Sequence, residues 1–269
     1  MKILIFGANG MLGNYVMDIV DGVKIPITRT EYDIEKKDWV LLKNILKQHN
    51  PDIVVNCAGL IPQRAQSDGP NNEKYFIING LFPNILSIYC NELNIKFIHI
   101  TTDCVFSGKK GLYTEEDIHD ETNMYGLSKS FGEPLNTTII RTSIIGHEIQ
   151  NKKSLLEWVI SQKNKKINGF SNHYWNGLTC LQLSHIINKI INNNMFWIGV
   201  RHITSPNIVS KYELVKIIND IYDLNLSITD DKTSPNTDKS LLSIYQPLFT
   251  IPDIHIQIKE LYNKFNETK

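Results

Sequence analysis

Short apolar runs alternate with segments of helical periodicity along the first half of the chain. Residues 2–6 (KILIF) form an apolar run that stops at Gly7, and apolar positions then recur at helical spacing over residues 11–20. Residues 24–28 (KIPIT) and 52–56 (DIVVN) read as further strands, with an amphipathic helix predicted over 38–48 between them. A long helix is predicted over 73–93, interrupted only near Pro83, followed by a strand over 96–101 (KFIHIT). A loop rich in glycine and acidic residues over 107–121, a helix over 123–133 and a strand over 137–141 complete the series. Strands that are apolar throughout and alternate with helices predict an α/β fold, a doubly wound parallel sheet covered on both faces. Beyond residue 145 the pattern loosens. Helices are expected over 154–163, 179–192, 210–222 and 253–265, a strand over 196–203, and a loop over 229–240.

Composition narrows the class of function. The 269 residues carry 28 Lys+Arg against 28 Asp+Glu, so the broad basic field that generic nucleic-acid binding needs is missing and no nucleic-acid partner is expected. Four cysteines (Cys57, Cys90, Cys104, Cys180) lie far apart with no C-x-x-C pair, which argues against a disulfide scaffold or a zinc site and fits a reducing cytosol. The first apolar run is too short for a signal-peptide core, and no stretch approaches the 18 apolar residues of a membrane span. A soluble cytoplasmic protein with no membrane partner and no metal is the expectation. The acidic run over 115–121 reads as a solvated loop, and His49, His99, His185, His202 and His255 show no ligand spacing and read as structural.

Chemistry enters at the first strand–helix junction. Gly7-Ala8-Asn9-Gly10-Met11-Leu12-Gly13 has glycines where a tight turn, close approach to a pyrophosphate and helix–strand packing would each need one. An anion there would meet unpaired N–H groups and the positive end of the helix dipole. The second strand ends in Thr28-Arg29-Thr30. A guanidinium at that place suits a ribose 2′-phosphate, so NADP is expected in preference to NAD. Asp33 is placed either on the adenine edge or as the cap of the next helix. Further on, Tyr125 and Lys129 in YGLSK stand four apart, on one face of a helix. A nearby ammonium favours the phenolate and brings the phenol towards a useful acid–base range. Thr102, at the carboxyl end of the fourth strand, is expected to hold a substrate oxygen.

These segments, with Asn56-Cys57-Ala58-Gly59, the run Thr101-Thr102-Asp103-Cys104-Val105-Phe106-Ser107-Gly108, Gly132-Glu133 and Ile140-Arg141-Thr142-Ser143, resemble the extended short-chain dehydrogenases/reductases and are similar to dTDP-4-dehydrorhamnose reductases. The resemblance covers residues 1–146 closely and continues loosely through 169–179. SIIGHE (143–148) and NHYWNG (172–177) are similar to a sub-branch acting on UDP-linked N-acetylated 6-deoxy-L-sugars. It implies a Rossmann-type domain over 1–145, to which a strand and helix return near 176–204, and a mainly substrate-binding region over 146–269. It further implies NADPH-dependent reduction of the C4 ketone of a nucleotide-linked 4-keto-6-deoxy sugar. Tyr125 would then be the proton donor, Lys129 the ribose-binding cation, and Thr102 the holder of the keto oxygen. The cofactor seat would comprise Gly7, Asn9, Gly10, Met11, Leu12, Gly13, Arg29, Asp33, Ile34, Cys57, Ala58, Gly59 and Asn79, together with Tyr125 and Lys129. Cys104, Arg141, Asn172, His173 and Trp175 are expected towards the sugar nucleotide.

Cys104 departs from the tyrosine common at its position in dehydrorhamnose reductases. Related epimerase/reductases place a cysteine acid there, which opens a bifunctional reading with His147, Lys152 or Lys153 as the second acid–base. The alternative for Cys104 is a small packing residue. A reading of another class is a non-catalytic regulatory subunit resembling the beta subunit of methionine adenosyltransferase; an intact Thr102, Tyr125 and Lys129 set weighs against it. The family also implies self-association, as a homodimer, through the long helices flanking the sheet.

Overall fold

A computed structural model describes residues 1–62, 72–150 and 152–267. Its centre is a six-stranded sheet in the order β2-β1-β3-β4-β5-β10, every neighbouring pair parallel. The first five strands are β1 (Lys2–Phe6), β2 (Val23–Ile27), β3 (Ile53–Asn56), β4 (Lys96–Thr102) and β5 (Thr138–Thr142). Four short strands follow, β6 (Ile144–Ile145), β7 (Lys166–Phe170), β8 (His173–Trp175) and β9 (Leu178–Thr179), before β10 (Gly199–His202) returns to the edge of the main sheet.

Alternate residues of the sheet serve two cores, which explains why its strands are apolar throughout. Ile3, Ile5, Val55, Ile98 and Ile140 pack with α1 (Met11–Ile19) and the later Cys180–Asn192 helix, whereas Leu4, Phe6, Val54 and Phe97 pack with α2 (Trp39–His49) and α3 (Phe82–Glu92). The chain reverses direction across the sheet between β1 and β3. That switch point opens a crevice at the strands' carboxyl ends.

The remaining helices are α4 (Met124–Phe131), α5 (Leu155–Ser161), α6 (Cys180–Asn192), α7 (Lys211–Tyr222) and α8 (Ile254–Glu267). Two expectations need correction. The helix ahead of β4 does not break at Pro83, which has helical backbone on both sides. It is distorted earlier, where Phe76–Leu81 widen into a π-turn and Phe82 N–H reaches back to Ile77 O. Residues 229–240 are not wholly loop, because β12 (Ser227–Asp231) runs beside β7 and β13 (Thr237–Asp238) beside β8. His173, Tyr174 and Trp175 form β8, which also pairs with β11 (Val209–Ser210).

The acidic segment is likewise more than a solvated loop. Glu115 accepts hydrogen bonds from His202 N–H, Ser243 Oγ and Ile244 N–H, and Asp120 accepts from Ser107 N–H at 2.7 Å. Glu115 thereby staples the segment to β10 and to the chain beyond β13, and Asp120 closes the loop on Ser107.

Candidate active site

A cleft of about 1070 Å³ opens along the carboxyl ends of β1 to β5. One end is lined by Gly7, Asn9, Gly10, Met11, Leu12, Arg29, Asp33 and Ile34, and its middle by Cys57, Ala58 and Gly59. Thr102, Cys104, Tyr125, Lys129 and Trp175 line the other end. Residues far apart in sequence thus share one concave surface.

The glycine turn follows from backbone constraints. Gly7 has φ +72°, a left-handed conformation, and a Cβ there would lie 2.7 Å from Ala58 N. A Cβ at Gly13 would lie 2.1 Å from Gly7 O, so only glycine lets α1 approach the turn this closely. Gly13 packs beneath the turn and does not line the cleft. The start of α1 carries no side-chain cap and no acidic residue in its first turn, leaving its N–H groups to the cleft. Arg29 is exposed at the rim, paired with Glu35 and, at 3.4 Å through Nε, with Asp33. Asp33 accepts from Glu35 N–H at 3.1 Å, which is the capping geometry.

Asn79 stands behind the site. It is 1% exposed and accepts from Leu60 N–H at 2.8 Å while its amide donates to Leu60 O at 2.9 Å and Ser128 Oγ at 3.1 Å. It therefore ties the turn after β3 to α4, the helix bearing Tyr125 and Lys129. A second tie runs from His99 Nδ1 to Asn56 Nδ2 at 3.1 Å and from Asn56 Oδ1 to Ala58 N–H at 3.0 Å.

α4 begins at Asn123, whose side chain accepts from Gly126 N–H at 2.9 Å. This start places Tyr125 and Lys129 one turn apart against the cleft. Burial, the largest influence, pushes the Tyr125 phenol above its ordinary range, with Cys104 adding to the rise and the Thr102 hydroxyl opposing it. The phenol therefore keeps its proton, contrary to the shift expected from the lysine. Burial also pulls Lys129 down to about 8, against the attraction of Glu133 and Cys104. Thr102 Oγ1 donates to Asp103 Oδ1 at 3.0 Å and accepts from Cys104 N–H at 3.1 Å. Burial and the Asp103 carboxylate push the Cys104 thiol up to about 12.

Three residues expected at the sugar nucleotide point elsewhere. Arg141, 2% exposed, donates to Glu133, His119 and His202 inside the fold, because β5 carries it between β4 and β10. Asn172 donates to Ser234 O at 2.7 Å, and His173 stacks on Phe170 with its Nε2 2.7 Å from Ser234 Oγ. None of the three lines the cleft. His147, held between Glu157 at 2.9 Å and the Tyr222 hydroxyl at 2.9 Å, is also outside it, whereas Lys153 is on its wall. Lys211 and Lys239 line the cleft as well and were not anticipated. A sequence clue existed only for Lys211, which follows the helix-start pattern Ser210-x-x-Glu213.

Residues 1–239 match the family described as RmlD substrate binding domain, and the chain belongs to that family. It is similar to a dTDP-4-keto-6-deoxy-D-glucose reductase of Streptomyces niveus, 29% identical over 52% of this chain and 51% of that protein, so it spans about half the relative's length. It is also similar to the spore coat polysaccharide biosynthesis protein SpsK of Bacillus subtilis, 26% identical over 90% of this chain and 88% of the relative. Among solved structures, a dTDP-4-dehydrorhamnose reductase of Bacillus anthracis in complex with NADP aligns with TM-score 0.83 and 19% identity, over 98% of this chain and 99% of that one. No helix among the described residues is long and apolar enough to cross a membrane.

Proposed function

We propose that the chain is a cytoplasmic NADPH-dependent reductase of the C4 ketone of a nucleotide-linked 4-keto-6-deoxyhexose. UDP-4-keto-6-deoxy-N-acetyl-L-hexosamine and dTDP- or UDP-4-keto-L-rhamnose are its candidate substrates. The observation that carries this reading is the single cleft that joins the glycine turn and Arg29 to Thr102, Tyr125 and Lys129. The named activities of the similar proteins support the same chemistry. Residues 1–145, with the return near 176–204, would bind the cofactor and the rest mainly the sugar. Exposed Ile88, Leu127 and Phe131 on α3 and α4 support self-association as a homodimer, which light scattering would test.

The site fits NADPH. The uncapped start of α1 suits a pyrophosphate, and the Arg29 guanidinium suits a 2′-phosphate in exchange for its carboxylate partners. Bound there, NADPH supplies the hydride. Tyr125, holding its proton, delivers it to the C4 oxygen as negative charge develops. Lys129, a cation at neutral pH, steadies the charge left on the phenol. The Thr102 hydroxyl would turn from Asp103 to donate to the C4 oxygen and orient it, and Trp175 closes the far wall against water. Incubating the protein with NADPH and a panel of 4-keto-6-deoxy sugar nucleotides, with products identified by NMR, tests the reading. No nicotinamide oxidation with any of them would refute it.

A second reading adds epimerisation next to the ketone, because Cys104 and Lys153 both line the cleft. The Cys104 thiol retains its proton and would act as the acid. Deuterium entering the substrate from solvent without NADPH would establish this activity. Its absence would leave Cys104 a packing residue.

A further inference from the structure

Past Tyr125 two lysines, Lys211 and Lys239, line the cleft, with the carboxylates of Asp103 and Glu121 set behind its wall. Asp103 is 3% exposed, at the end of β4, and takes the Thr102 O–H. Lys211 opens α7, fixed by the reciprocal Ser210–Glu213 cap, and its Nζ stands 5.0 Å over the Trp175 ring. Lys239 arrives just after β13. Its backbone is pinned by Asp238 N–H to Gly108 O at 2.7 Å and by its own N–H to Tyr174 O at 3.2 Å. Its Nζ donates to Glu121 Oε2 at 3.2 Å. β8 brings the two lysines together, since Lys211 follows β11 on one side of it and Lys239 follows β13 on the other.

The charges decide what this point can hold. Two ammoniums and two carboxylates, Asp103 and Glu121, sum to zero. A diphosphate needs a surplus of positive charge, whereas a neutral hydroxyl accepts from an ammonium without adding charge. Each ammonium has three donors, enough to hold its carboxylate and a ligand hydroxyl together, and the Trp175 face beside Lys211 offers an apolar surface for ring carbons. We infer that Lys211 and Lys239 bind the hydroxyl next to the reacting ketone and select substrates that carry one; this rests on the reductase reading above.

Equilibrium titration of the NADP⁺-loaded protein tests this without turnover. The probes are a nucleotide-linked 6-deoxyhexose, its analogue lacking the hydroxyl at C3, and the nucleoside diphosphates UDP and dTDP. Lys211→Met and Lys239→Met should each weaken the hexose by about 10–100-fold, as for a lost charge-assisted hydrogen bond, and leave the diphosphates and NADP⁺ within about 2-fold. The C3-deoxy analogue should bind weakly to the wild type and no more weakly to the variants. Lys239→Arg should retain most of the affinity, and unchanged NADP⁺ binding reports a folded site. Parallel weakening of the diphosphates would overturn the inference by assigning the cations to phosphate. Unchanged hexose binding in both variants would overturn it while leaving the reductase intact. A wild type that binds no nucleotide sugar would overturn the reductase reading, and this inference with it.

Discussion

Replacing Arg141 by methionine removes a buried cation with four hydrogen-bonded contacts. Nε and an NH2 group donate to Glu133 at 3.0 and 2.6 Å, and the guanidinium also donates to the Nε2 atoms of His202 and His119, both at 2.8 Å. Its carbon lies 5.2 Å from the Phe106 ring centre. Methionine fills much of the space but leaves the Glu133 carboxylate buried without its cation. Breaking a pair of this kind costs about 3–5 kcal/mol, a large share of the roughly 5–15 kcal/mol that holds a domain folded. A guanidinium has only donors, so both histidine Nε2 atoms must accept and both rings are neutral. Burial, and then Arg141, holds His202 down to about 4; burial holds His119 below its ordinary value, against the pull of Glu133. Between the ordinary histidine value near 6.5 and about 4 the folded wild type therefore binds fewer protons than the unfolded chain. Its stability from this source is full above that window and declines as pH falls through it. In the variant His119, 3.7 Å from Glu133 Oε2, is free to protonate and pair, so its folded pKa rises and its contribution is lost as pH rises. Urea unfolding should accordingly show a loss of about 3–5 kcal/mol near pH 8, smaller by about 1 kcal/mol or more near pH 5.5. Because Arg141 does not line the cleft, the folded variant should keep its KM for a nucleotide sugar within about 2-fold. A loss under about 1 kcal/mol, or one that grows on acidification, would refute the reasoning.

Three further outcomes follow from the site. The wild-type kcat/KM should decline as pH rises through about 8, where Lys129 loses its proton, while Tyr125 stays protonated; a flat profile through that range would contradict the role given to the cation. Gly13→Ala places a methyl carbon 2.1 Å from Gly7 O and must push α1 off the turn, so it should lower stability by about 1–3 kcal/mol and raise the KM for NADPH, read by melting and steady-state kinetics. Arg29→Ser should reduce the preference for NADPH over NADH by about 10–100-fold, and an unchanged ratio would remove Arg29 from 2′-phosphate recognition.

What the sequence revealed were features written in local order. The glycine turn and the Tyr125–Lys129 pair are each set within a few residues, and alternation of apolar runs with helices marks a sheet covered on both sides. Arg141 was misplaced because its position follows from β10 joining the sheet beside β5, with His202 a partner 61 residues away. Lys239 was invisible for the same reason, since its place depends on β13 pairing with β8 and on Asp238 reaching Gly108. The acidic segment looked solvated because the acceptor roles of Glu115 depend on Ser243 and Ile244, more than a hundred residues on. The direction of the Tyr125 shift was misjudged because a sequence shows the neighbouring lysine but not the burial that outweighs it.

The central claim is that the Tyr125 hydroxyl gives its proton to the sugar's C4 oxygen. Its most direct test is the kcat of Tyr125→Phe with NADPH and a 4-keto-6-deoxy sugar nucleotide, alongside NADPH binding and melting temperature. The predicted result is a kcat lower by about 10²–10⁴-fold with binding and melting unchanged. Full turnover by this folded variant would contradict the account.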